Sequence, residues 1–387
     1  MLPCQLDATL VTLETRVLRC TPGCDTTYAV VLEATPFYPE GGGQPADQGW
    51  IGDARVVDVQ IVDGDVVHTT LAPVDGSVRA QVDEARRRDH MQQHTAQHLL
   101  TAVIEDQLGA PTIGFHLGDN TTTIDLDRPL DAALLSSAID RVNAEIRAAR
   151  TVRAEVVSLD EYATRDVRSR GLPEGFTGDV RLVTIEGLDL NTCGGTHVAT
   201  TAELQLVQIV RIERYKGGTR IHFLAGDRAL RSHRAALARE QAMSKALTAG
   251  AEEHVPAVRK LLEQAKVGAK ARQRLLREVG ELLGERIARE AGAGATHVHR
   301  DDADPGMLKA IADAALAARP DLRLLLTGGA ADGPGVFLVA GPEKVVAEAG
   351  PTIATSLQGR GGGRGGRFQG KAQDLSAAPA ALAALGT

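Results

Sequence analysis

The chain has 387 residues, of which 43% are hydrophobic and 24% charged, and a net charge of −7. At roughly 100 to 200 residues per domain, that length implies about two or three folded units. The composition is that of a soluble globular protein: no apolar run reaches the ~18 to 20 residues a membrane helix needs, and the acidic balance excludes a wholly basic nucleic-acid binder while leaving local basic surfaces open.

The opening MLPCQLDATLVTLETRVL carries an early acid, alternating polarity and no apolar centre. No secretory leader is expected, and a cytoplasmic location follows as the default. Four cysteines, Cys4, Cys20, Cys24 and Cys193, are too few and too unevenly spaced for a disulfide framework. The Cys20–Cys24 pair lacks a second pair, so these three N-terminal thiols are expected to be reduced and without function.

From Gln5 to about Asp83, short alternating segments such as TLVTLETRVL, TYAVVLEAT and ARVVDVQIVDG are separated by Gly, Pro and Asp turns, the pattern of a small β-barrel or sandwich. Two of its strands are joined by FYPEGGGQPADQG, Phe37 to Gly49. Gly42-Gly43-Gln44 within it is the tripeptide that, at a loop tip, holds water against an ester in peptide release factors. A glycine turn is the alternative, with Gly41, Gly42 and Gly43 supplying positive φ.

The period changes at VDEARRRDHMQQHTAQHLLTAVIEDQLG, where Ala96, Leu99, Leu100, Val103 and Ile104 recur at helical spacing and Gly109 ends the run. Strand-like TTTIDLD, a helix DAALLSSAIDRVNAEIRAAR, the strand TVRAEVVSL and a Gly/Pro-rich loop from Gly171 to Gly178 follow, then DVRLVTIEGLD, AELQLVQIVRIERY and TRIHFLAG. This middle unit reads as α+β. Helix formers then dominate from Asp227 to about Ala291, with breaks expected near Gly250 and Pro256. Asp227 to Glu290 holds 14 Lys+Arg against 9 Asp+Glu, so this arm is basic although the chain is acidic. The remainder alternates as a small α/β domain and closes on QGRGGGRGGRFQGKAQ. There Arg360, Arg364, Arg367 and Lys371 lie among glycines beside Phe368, and composition favours a disordered basic tail slightly over a phosphate-contacting loop.

Two residue pairs carry chemistry. His94 and His98 are four apart on the predicted helix, so both imidazoles leave one face a turn apart and can converge on one ion. Cys193 and His197 repeat the spacing in the glycine loop CGGTH. Together they form a candidate zinc set of one cysteine and three histidines. The helix lacks the Glu of HExxH, so a metalloprotease is not indicated. His90, one turn before His94, is expected beside the metal or facing solvent. A closed structural zinc and a site that loosens one ligand to admit substrate both remain open.

The segments RRRDHMQQHTAQHLL, CGGTHV, KGGTRIHFLAG and FYPEGGGQPADQG, with the terminal glycine-rich segment, closely resemble in the same order the long form of the AlaX family, freestanding alanyl-tRNA editing proteins related to the editing half of alanyl-tRNA synthetase. The resemblance implies an N-terminal translation-factor-like β-barrel (1–84), a central α+β zinc-containing editing domain (85–226), a helical arm (227–291) and a C-terminal glycine-rich α/β domain (292–387) for tRNA binding, dimerisation or both.

It further implies a trans-editing hydrolase that deacylates tRNA(Ala) mischarged with serine, and glycine as a second candidate. Zn2+ would sit on His94, His98, Cys193 and His197. Substrate contacts fall on Gly42, Gly43, Gln44 and Thr112, and tRNA contacts on Arg360, Arg364 and Arg367. No catalytic side chain is assigned: whether zinc polarises water or holds the ribose or aminoacyl group is left open. Leu261, Leu262, Leu275, Leu276, Leu282 and Leu283 suit a partner helix in a homodimer or packing within the chain equally. Editing of Ser-tRNA(Thr), and a non-catalytic tRNA-binding protein with structural zinc, are the alternatives.

Overall fold

A computed structural model describes residues 1–168 and 171–386. The chain divides into two compact units, Met1–Gln241 and Ala242–Thr387. None of the described helices is long and apolar enough to cross a membrane.

The first unit begins with the helical turn α1 (Pro3–Leu6) and six strands, β1 (Thr12–Pro22), β2 (Tyr28–Leu32), β3 (Gly49–Ile51), β4 (Ala54–Val62), β5 (Asp65–Thr70) and β6 (Ser77–Val82). They close into a barrel in the order β1-β2-β5-β4-β3-β6. Alternate strand residues point inward, so Val30, Ile51, Val56, Val59 and Ala80, with Phe37 from the β2–β3 connection, fill it with no solvent exposure. Cys4 is buried, Cys20 half-buried and Cys24 exposed, and all are free thiols.

The long β2–β3 connection holds the glycine loop. Gly41 and Gln44 exchange backbone hydrogen bonds of 3.1 and 3.0 Å across Gly42 and Gly43, whose φ values are 58° and 82°. Positive φ at both central residues is what a tight type I′ hairpin turn needs, and glycine adopts it without a steric cost. Gly41 itself does not have positive φ, so two glycines rather than the expected three meet that need.

Helix α2 (Glu84–Leu108) follows, N-capped by Asp83 and ended by Gly109 in the left-handed conformation. Residues His90 to Ile104 are all buried, on every face, because α2 is the centre of the unit. Its polar residues are therefore paired: Gln93 exchanges both amide hydrogen bonds with the Ala225 backbone, at 2.9 and 3.0 Å, and Gln92 donates to Glu203 O at 2.9 Å.

Around α2 lie a four-stranded antiparallel sheet and a three-stranded one. The first has the order β12 (Val207–Tyr215), β13 (Gly218–Ala225), β8 (Thr122–Leu126), β7 (Thr112–Leu117), and the second β11 (Asp189–Thr192), β10 (Val180–Ile185), β9 (Val152–Val157). Helix α3 (Ala132–Arg147) completes the core with Leu135, Ala138, Val142 and Ile146. The short α4 (Leu159–Tyr162) follows β9. Helix α5 spans Gly226–Leu247.

In the second unit, α6 (His254–Glu290) is continuous through its first turn, where Pro256 costs no helical hydrogen bond, so the expected break falls at Gly250 alone. Leu276 and Leu283 pack toward α7 (Pro305–Ala318), whereas Leu261, Leu262, Leu275 and Leu282 are exposed.

A five-stranded sheet has the order β14 (Thr296–Arg300), β15 (Leu324–Gly329), β16 (Gly335–Ala340), β18 (Arg367–Ala372), β17 (Arg360–Arg364). Leu324, Leu326 and Leu338 face α7, while Leu325, Phe337 and Val339 face α8 (Glu343–Ser356) and α9 (Ala378–Ala381). This is the two-residue period of strands covered on both sides. The Arg/Gly-rich segment is thus an ordered antiparallel hairpin and not a disordered tail: β17 pairs with β18, and Phe368 packs in the core beside α8.

Candidate metal centre and cleft

The helix α2 and the loop after β11 bring the two sequence pairs together. Potential ligand atoms of His94, His98, Cys193 and His197 all lie within 4.8 Å of one another. Cys193 Sγ is 3.4 Å from His94 Nε2 and 3.2 Å from His197 Nε2.

Each imidazole is oriented through its other nitrogen. His94 Nδ1 meets Gln44 Oε1 at 2.8 Å, His98 Nδ1 meets Asp189 Oδ2 at 3.1 Å, and His197 Nδ1 meets Thr95 Oγ1 at 3.1 Å. Partners of this kind fix ring orientation and leave Nε2 directed at a shared centre, as metal-ligating histidines require. Asp189 is held in turn by Arg168, whose Nε donates to Asp189 Oδ1 at 3.0 Å and which also pairs with Glu105 and Asp106 at 3.1 and 2.8 Å.

The glycines of CGGTH have a steric reason. Gly195 packs so closely under His94 that a Cβ there would collide with the ring and approach Gln44 Oε1. The loop is fixed from its outer side by α1 and β10: Gln5 Nε2 donates to Gly194 O at 2.9 Å, and Arg181 donates to Gln5 O at 3.1 Å and to Cys193 O at 2.5 Å.

The electrostatics suit a cation. Burial opposes ionisation of Cys193, but the imidazoles of His94, His197 and His98 outweigh it and hold the thiol well below its ordinary value. Burial pushes His197 down to about 3, which keeps a nitrogen lone pair available. At His98 burial is overcome by Cys193 and Asp189, which raise it to about 10, and a cation at the centre would take the place of that proton. Three imidazoles and a thiolate, each oriented by a partner, fit a divalent metal with mixed nitrogen and sulfur preference.

His90 departs from expectation: it is 1% exposed, its Nδ1 has no hydrogen-bond partner among the described residues, and burial with the neighbouring Arg86, Arg228 and Arg87 pushes it to about 3. It is a neutral core histidine outside the four-residue cluster.

A cleft of about 1120 Å³ opens onto the cluster, lined by His94, His98 and Cys193 and also by Gly42, Gly43 and Thr112. Thr112 Oγ1 lies 2.8 Å from Thr101 Oγ1, which accepts from Gln97 Nε2 at 3.0 Å. Gln44 differs from its neighbours in the loop: it is fully buried, with both amide atoms bonded to His94 and Thr196. In this conformation its amide faces the metal ligand and not the cleft, in contrast to the expected substrate contact.

In the second unit Arg360 and Arg364 are exposed on β17, while Arg367 is half-buried and bonded to Asp313 at 3.0 Å. Asp189, Thr95, Arg168, Arg181 and Gln5 were not evident in the sequence, since no spacing links any of them to the ligand it supports.

Residues 180–222, from β10 into β13, match the family model described as the threonyl and alanyl tRNA synthetase second additional domain, and residues 13–86, the barrel, match that of the tRNA synthetases class II (A). The chain is 38% identical to "Alanyl-tRNA editing protein Aarsd1" of Mus musculus, over 99% of this chain and 96% of that one. It is 37% identical to "Alanyl-tRNA editing protein Aarsd1-B" of Xenopus laevis, over 96% and 94%. "Alanine--tRNA ligase" of Halobacterium salinarum is 35% identical over 85% of this chain, which spans 37% of that protein. With near-complete mutual coverage by the editing proteins, the chain belongs to the AlaX family of alanyl-tRNA editing proteins.

Proposed function

We propose that the chain is a zinc-dependent trans-editing hydrolase that cleaves the ester joining serine to tRNA(Ala), with glycine as a second substrate. The observation that carries this reading is the cleft that opens on His94, His98 and Cys193 and is lined by Thr112 and the Gly42-Gly43 turn. A purely structural metal site has no need of such an opening.

The residues divide the work. An aminoacyl ester is already activated, so its hydrolysis needs a positioned water, polarisation of the carbonyl and exclusion of the correct substrate. When bound, zinc supplies Lewis-acid polarisation at the four-ligand centre. The backbone at Gly42 and Gly43, with no side chains, leaves room for the tRNA 3′ end beside the ligands. The Thr101–Thr112 hydroxyl pair offers hydrogen bonding to the serine side chain, which alanine cannot satisfy. Arg360 and Arg364 on β17 would contact tRNA phosphates, with Arg367 contributing less because Asp313 already engages it. The exposed leucines of α6 would serve a homodimer.

Incubating the purified chain with Ser-tRNA(Ala), Gly-tRNA(Ala), Ala-tRNA(Ala) and Ser-tRNA(Thr) tests the reading. Deacylation of the first two with Ala-tRNA(Ala) spared is expected. No turnover of any substrate would overturn the enzyme reading, and preference for Ser-tRNA(Thr) would overturn the substrate assignment.

A further inference from the structure

We infer that Gln44, carried by the barrel, is a positioning residue for the metal centre: it fixes the tautomer and orientation of His94 and ties that ligand to the loop bearing Cys193 and His197. The inference rests on the metal reading of the four-residue cluster.

One group beside Gln44 has a single hydrogen-bonding role. The backbone N–H of Thr196 can only donate, and it meets Gln44 Oε1 at 3.1 Å, which settles the amide as oxygen toward Thr196 N. The other end agrees, because Gln44 Nε2 reaches Thr196 Oγ1 at 2.9 Å. The same Oε1 lies 2.8 Å from His94 Nδ1, so that nitrogen must carry a proton to bond to it. His94 Nε2 is then the unprotonated nitrogen, and it is the atom facing Cys193 Sγ at 3.4 Å. One carbonyl oxygen therefore selects the ligating tautomer and holds two elements of the site together.

Gln44 is itself held firmly. Its turn is closed by the reciprocal Gly41–Gln44 bonds, Gly43 O accepts from Leu117 N at 3.2 Å, and the Tyr38 hydroxyl donates to Gly41 O at 3.0 Å. Gly195 leaves the space in which Gln44 and His94 meet. Gln44 lies 50 residues from His94 and 152 from Thr196 in sequence, so the barrel contributes directly to a centre whose ligands all lie elsewhere. Gly42 and Gly43, which line the cleft, occupy the same turn, so the segment expected to meet substrate is continuous with the one that orients a ligand.

The test compares the full-length chain with Gln44→Ala and Gln44→Glu. Zinc affinity is measured by chelator competition, the ligand-field spectrum after cobalt(II) substitution, and Ser-tRNA(Ala) deacylation resolved into kcat and KM. Gln44→Ala is expected to weaken zinc binding by roughly 10- to 100-fold and to alter the cobalt spectrum. Gln44→Glu should stay within a few-fold of the parent, since a carboxylate accepts from both His94 Nδ1 and Thr196 N and the Thr196 hydroxyl can turn to donate to it. Gln44→Met keeps the side-chain length while removing both polar atoms; it is measured should Gln44→Ala fail to fold, and the same loss is expected. A parent that binds zinc beside Ala or Met variants of equal affinity and unchanged spectrum overturns the inference alone. A parent that takes up no metal overturns the metal reading and this inference with it.

Discussion

Replacing Asp47 by alanine tests how the barrel is fastened to the helix that bears His94 and His98. Asp47 is fully buried and faces Arg87 of α2, which is 1% exposed. Arg87 Nε lies 3.2 and 3.0 Å from the two carboxylate oxygens, and Nη2 bonds to Oδ2. Asp47 Oδ2 also accepts from Tyr38 N at 2.7 Å, at the base of the loop that carries Gly42 to Gln44.

In Asp47→Ala the guanidinium keeps, among the described residues, only the carbonyl partners at Pro36, Ala8 and Leu10 and no compensating charge. Breaking a buried pair in this way costs about 3–5 kcal/mol, because a desolvated charge is left behind. For a unit of this size each 1 kcal/mol shifts the melting temperature by roughly 2–4 °C, so a fall of roughly 6–20 °C is expected. Trp50, the only tryptophan, sits on β3 and reports unfolding of the barrel by fluorescence. The double variant Asp47→Ala/Arg87→Met removes the orphaned charge as well and should recover at least half of the loss. A single variant melting within 2 °C of the parent would mean that the Asp47–Arg87 pair does not fasten the barrel to α2.

His68 sets a pH dependence in the same barrel. Burial lowers it from 6.5 to about 4 against the opposing hydrogen bond to Val30 O, so it stays neutral when folded. The unfolded chain takes up its proton first, so stability is present above pH 6.5 and declines as pH falls from 6.5 toward 4, by about 3 kcal/mol for this group. His68→Gln should flatten that slope in denaturant titrations by roughly one proton. Gly195→Ala places a methyl against His94 and should lower zinc uptake while the thermal transition persists, as metal analysis and calorimetry would show together. Replacing Arg360 and Arg364 by alanine should reduce the slope of log affinity for tRNA against log salt by about one to two and leave metal content unchanged, whereas Arg367→Ala should change the slope less.

Much of the fold was legible because it rests on local periodicity. The two-residue alternation of the barrel strands and the helical spacing of Ala96, Leu99, Leu100, Val103 and Ile104, ended by Gly109, are properties of neighbouring residues. The paired i and i+4 spacing likewise made the grouping of His94, His98, Cys193 and His197 readable.

What was not readable depends on contacts distant in sequence. Composition alone cannot show that RGGGR pairs with RFQGKA against β16 and buries Phe368, and so the order of that segment was missed. The role of Asp189 depends on His98, 91 residues away, and the burial of His90 depends on α2 being enclosed on all sides. The inward turn of Gln44 was hidden for the same reason, although its glycine neighbours signalled a tight loop.

The metal centre is tested most directly by zinc content measured alongside Ser-tRNA(Ala) deacylation, in the parent chain and in Cys193→Ala. One zinc per parent chain with active deacylation is expected, and loss of both in the variant. A Cys193→Ala protein that retains full zinc and full activity would contradict the centre assigned to His94, His98, Cys193 and His197.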